Sequence, residues 1–245
     1  MYSSEIMQSE KEQVVLQFNY QRFVWFLVFV ALVLAMVSFG MQFRKYEIDI
    51  NSKVYQKFDL DGERNIPSFF SMLLLMTTAV ILYMISSIKR KFQFTFRNHW
   101  LGLSLIFLFL SMDELISLHE ILIDVVRYIA GSSTGIFFLG WVIPMGFIVI
   151  CIGFTYLKFL IRLPLRTRLF FIVSACVYLS GTIGMETVGS YYYQVHGEGI
   201  GMQLCMTIEE SLEMIGIILF IYTLLEYTHR FLEPLTIHCE FEEKI

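Results

Sequence analysis

Residues 22–43 read RFVWFLVFVALVLAMVSFGMQF, with one charge at the first position and none after it. A helix needs about 20 largely apolar residues to cross a hydrocarbon layer near 30 Å thick. This run meets that length without interruption, so it predicts a membrane-spanning helix. Five further stretches qualify in the same way, at roughly 67–88, 100–121, 137–159, 169–190 and 204–226. The chain of 245 residues is 56% hydrophobic and 16% charged, against roughly 25% charged in an average soluble domain. Little chain remains outside the six stretches, which leaves no room for a second folded domain.

The fold expected is therefore all-α: an integral membrane helical bundle of about six transmembrane helices. Its parts are a polar N-terminal segment 1–21, read as a short cytoplasmic or interfacial helix, a membrane domain 22–228 with an outer loop at 44–66, and a tail at 229–245. The first apolar run reads as an anchor and not as a cleaved signal. It is too long, polar residues precede it, and no small-x-small site follows. Cys151, Cys176, Cys205 and Cys239 show no CxxC or other metal-binding spacing, so no disulfide framework is implied.

Orientation follows the excess of Lys and Arg on cytoplasmic connections. Segments 89–99 and 158–168 each carry four basic residues and no acid, whereas 131–136 and 190–203 carry none. Both termini are then expected in the cytoplasm. The loop 44–66 runs against this pattern only in part, its five basic residues being matched by five acids. Within it, YEIDI (46–50) alternates as a short strand would, and Pro67 suits the first position of the second span. In the fifth span, Ser180 and Gly184 form a small-xxx-small pair suited to close helix packing. The YYYQVHGEGIGMQ segment (191–203) reads as an aromatic belt followed by a flexible connection. No basic surface suggests nucleic acid, and the partners expected are the lipid bilayer and a small cation or lipid ligand, with an oligomer compatible.

Acids inside apolar spans are costly, so they carry the functional signal. At about 1.5 Å rise per residue, Asp113 lies roughly 20 Å into the third span and Glu186 about 25 Å into the fifth, while Glu209, Glu210 and Glu213 fall within about 15 Å of the outer end of the sixth. Asp113, Ser117, Glu120 and Asp124 recur at helical spacing and would share one face, with Glu114 and His119 pointing elsewhere. A charged residue at mid-membrane costs roughly 2.5–3.5 kcal/mol. Compensation must come from protonation or from a bound cation, because only Arg127, His119 and His196 are nearby basic groups. The cytoplasmic halves of the spans read as nearly uncharged.

The residues expected to hold a cation are Asp113, Glu120, Glu186, Glu209 and Glu213, with His119 or His196 as auxiliary ligand. Such a set suits a divalent metal (Mn, Fe, Mg or Ca) or a proton. No HExxH occurs, Ile116 and not Glu stands three before His119, and Ser117 with His119 makes a poor nucleophile–base pair, so no catalytic residue is assigned. The readings open at this level are transport or sensing through a cation site, a metal-dependent enzyme acting on a lipid or amphipathic substrate, and a structural or signalling subunit whose acids join helices.

Three stretches, FDLDGERNIPSFFS (58–71), SMDELISLHE (111–120) and TIEESLEMIGIILFIYTLLEY (207–227), resemble a pattern recurring in uncharacterised bacterial polytopic membrane proteins. The resemblance implies a bacterial inner-membrane setting. It implies no activity.

Overall fold

A computed structural model describes residues 14–17, 19–48, 53–60, 62, 64–91, 96–117, 142–232 and 236–239. Among them lie seven helices: α1 (Tyr20–Ile48), α2 (Lys53–Phe58), α3 (Ile66–Lys91), α4 (Arg97–Ile116), α5 (Val142–Arg162), α6 (Leu165–His196) and α7 (Ile200–Phe231). A two-stranded antiparallel ribbon, β1 (Val14–Gln17) with β2 (Thr236–Cys239), pairs Val14 with Cys239 and Gln17 with Thr236. Residues 14–17 are thus strand where a helix was expected. Tyr46–Ile48 close α1 instead of opening a strand.

Five helices, α1, α3, α4, α5 and α6, are long and apolar enough to cross a membrane. Their outward faces carry large apolar side chains, among them Trp25, Phe29, Met36, Phe154 and Leu165. A soluble domain rarely shows contiguous apolar surface on that scale. In a bilayer it meets acyl chains, while helices satisfy their own backbone groups. This is a helical membrane protein.

α7 is also long, at 32 residues, yet its glutamates set it apart from the five apolar helices. It compensates by lying at the centre. α1, α3 and α6 pack on it, and Met214, Ile217, Ile218, Ile221, Leu224 and Leu225 are all buried. A polar helix is tolerable in lipid when its neighbours cover it. α4 instead packs along α3, held by serine hydroxyls that donate to backbone carbonyls: Ser104 to Ala79 at 2.8 Å and Ser111 to Met72 at 3.1 Å.

The segment between α1 and α3 is held down by a polar network. Buried Gln42 donates to Ser38 and, at 3.2 Å, to Asp59, while its carbonyl oxygen lies 2.9 Å from the Thr207 hydroxyl. Asn65 caps α3, its side-chain oxygen accepting from the Ser68 N–H as the Ser68 hydroxyl accepts from the Asn65 N–H. This reciprocal pattern satisfies two donors at a helix start. Pro67 follows as the second helical residue, one later than expected, and also lacks a donor there.

Candidate functional site

α6 and α7 run antiparallel and touch closely at two glycines. A Cβ on Gly216 would lie 2.7 Å from the Tyr178 nitrogen, and one on Gly181 would lie 2.8 Å from the Glu209 carbonyl and 3.0 Å from Glu213 Cγ. Those approaches require hydrogen at both positions. Gly184, expected as part of the packing pair, is exposed and its nearest neighbour is Ser180 of its own helix. The helix is wider-wound here: Ser180–Met185 form a π-helical segment within α6. π-Turns re-aim the side chains around them and are frequent at functional sites.

Tyr178 stands just before that segment, shares a hydrogen bond with the Thr182 side chain, and lies in the electrostatic field of Glu213, Glu114 and Glu210. Three helices therefore bring polar groups to one level. Measured at about 1.5 Å per residue from Arg97 and from Phe231, Glu114 of α4 stands about 26 Å along and Glu213 of α7 about 27 Å. Glu114, expected to point elsewhere, is the α4 carboxylate close enough to act electrostatically on Tyr178. Half-buried Asp113 sits beside it, and its carbonyl accepts the Ser117 N–H.

Ser117 also ends α4, with φ 59° and ψ 47°. The face expected through Asp113, Ser117, Glu120 and Asp124 is therefore not carried by α4 beyond Ile116. His119 and Glu120 lie outside the described residues. Half-buried Glu186 follows the π-segment and accepts from the Ser190 hydroxyl at 3.4 Å. It falls between the Gly181 contact with Glu209–Glu213 and the Gly189 contact with Cys205. Glu209 is half-buried one turn from Glu213. His196 ends α6, exposed and stacked on Tyr192 at 4.5 Å, about 15 Å of helix rise beyond Glu186. The connection after it shrinks to three residues, because α6 runs through the tyrosines. Among the described residues, no three His, Cys, Asp or Glu side chains form a group that could hold a metal ion.

One charged site escaped the sequence reading. Glu226 of α7 is buried, and its Oε1 accepts from both Arg166 and Arg230 at 2.9 Å. The half of the bundle expected to be nearly uncharged thus holds a buried charged triad. Glu226 with Arg230 is an i,i+4 pair visible in sequence, but Arg166 comes from the first turn of α6 and only the fold brings it in. Beside the triad, Tyr227 stacks on buried Trp100, and Arg166 lies 5.8 Å from the Phe170 ring.

Residues 19–227 match the family described as Domain of unknown function (DUF8692). The chain belongs to that family. The matched span runs from the start of α1 nearly to the end of α7 and takes in Asp113, Glu114, Tyr178, Glu186, Glu213 and Glu226. No curated protein and no solved structure matches the chain.

Proposed function

We propose that this membrane protein binds a cation at carboxylates in the outer half of its bundle and uses that site for transport or sensing. The observation that carries the reading is the convergence of Glu114, Glu210 and Glu213 from two helices on Tyr178 of a third, beside a π-segment. Carboxylates held at one level in an apolar bundle repel one another and favour a cation or shared protons. A proton or monovalent cation suits the described residues better than Mn, Fe, Mg or Ca. A divalent metal would need further ligands such as His119 or Glu120.

In this reading α7 is the sixth crossing, its buried position offsetting its acids. Pairing of β1 with β2 supports termini on one side, and the basic connections support the cytoplasm for that side. The resemblance noted above supports a bacterial inner membrane.

The test is proton and cation flux, together with ion-dependent thermal stability, for the wild type and Glu213→Gln in lipid vesicles. The expected result is a cation- or pH-dependent signal that Glu213→Gln reduces at least tenfold while the protein stays folded. A signal identical in both proteins, or none from either, would overturn the proposal.

A further inference from the structure

Directly on the cytoplasmic side of these acids, α4, α6 and α7, with Ile152 of α5, line a half-open cavity of about 240 Å³. Its wall includes Phe107 and Leu110 of α4, Phe171 and Tyr178 of α6, and Ile217 and Phe220 of α7. The Ser174 hydroxyl, also in the wall, is turned back onto the Phe170 carbonyl at 2.6 Å. An apolar cavity with no polar partners to offer stays dry and takes apolar guests.

The helical spacing ties this cavity to the carboxylates. On α4, residues 107, 110 and 114 recur at three and four, so Glu114 lies one turn outward of Leu110 on the cavity face. On α7, residues 220, 217 and 213 do the same, which sets Glu213 one turn outward of Ile217. Tyr178 belongs to both, lining the cavity and lying in the field of Glu213 and Glu114. The result is an apolar chamber about 10 Å long, measured along α4 from Phe107 to Glu114, with carboxyl groups at one end.

We propose that the cation bound here is a lipophilic amine: a protonated amino group held at Glu114 and Glu213, with a compact apolar body seated between α4, α6 and α7. This rests on the cation-site reading and names its ligand class. A bare metal ion or proton would leave the chamber empty. Charge at one end and carbon along the walls select for both properties in one molecule.

The test uses the full chain in phosphatidylcholine nanodiscs, with octylammonium, octanol and ethylammonium as probes and thermal unfolding as readout. Stabilisation grows with ligand concentration relative to Kd, so each probe yields an apparent affinity. Octylammonium is expected to bind at least tenfold more tightly than either other probe. Glu213→Gln should weaken octylammonium about tenfold and leave octanol unchanged. Ala175→Phe, which projects a ring into the chamber from an exposed position of α6, should weaken both octyl probes and leave ethylammonium unchanged. Leu110→Phe serves the same purpose should the first variant fold poorly.

Equal affinity for octylammonium and ethylammonium, with both lost in Glu213→Gln, would overturn the ligand class and keep the cation site. Indifference of every probe to Glu213→Gln would overturn both. Octylammonium binding that disappears when phosphatidylethanolamine replaces phosphatidylcholine would place an aminolipid in the chamber and also overturn the proposal.

Discussion

The buried Glu226 makes a sharp, quantitative demand on the end of the bundle where α6 begins. Two guanidinium groups reach one of its carboxylate oxygens at 2.9 Å, and the side chain is 5% exposed, whereas Arg166 and Arg230 are 54% and 49% exposed. A hydrogen bond to a charged group contributes about 1.5–3 kcal/mol. Solvent around each half-exposed arginine screens that, so either Arg166→Ala or Arg230→Ala alone should cost about 1 kcal/mol. Removing both leaves a buried carboxylate without a cation among the described residues, a situation that costs about 3–5 kcal/mol. The double variant should therefore exceed the sum of the singles by about 1–3 kcal/mol, a coupling that a mutant cycle resolves. Adding Glu226→Gln to the double variant removes the uncompensated charge and should restore most of that excess. The assay is reversible unfolding in mixed micelles. Additive single effects, or a triple variant no more stable than the double, would refute the claim that these two arginines jointly compensate the buried Glu226.

Four further outcomes test the packing. Gly216→Ala should destabilise the protein by about 1–3 kcal/mol through overpacking, since the new carbon meets Tyr178 backbone atoms at 2.7–2.8 Å. Gly184→Ala, with nothing closer than 4.0 Å, should be neutral or gain up to about 1 kcal/mol from helix propensity. The same unfolding assay compares them. Gln42→Leu strips the partner from Asp59 and Thr207 and should cost about 1–3 kcal/mol, with faster proteolysis in the segment 53–65 as its local signature. Asn65→Ala removes the α3 cap and should cost about 0.5–2 kcal/mol, read as faster hydrogen exchange in the first turn of α3.

Membrane insertion was legible in the sequence because the bilayer imposes a length and a polarity on every segment separately. RFVWFLVFVALVLAMVSFGMQF needs no partner to be recognised as a span, and α1 duly forms over it. The other four apolar helices follow from the same local rule. The acidic layer was legible in part. Glu213 could be given a depth by counting residues, but which α4 carboxylate it meets depends on how two helices are rotated about their axes. Glu114 is the α4 carboxylate that acts electrostatically on Tyr178, and nothing within residues 97–117 specifies that rotation.

The sequence by itself determined that the chain enters a membrane as helices and that carboxylates accompany it there, because both consequences follow from the transfer free energies of single side chains. The tertiary structure alone decided that α7, the most acidic long helix, occupies the centre, because only neighbours on several sides can cover its charge. It also decided that Gly181 and Gly216 rather than Gly184 set the α6–α7 contact, that Ser180–Met185 wind as a π-segment, and that Arg166 meets Glu226. Each of these is a relation between residues distant in the chain or a change in winding, and helical periodicity read along one segment carries no information about the rotation of the next.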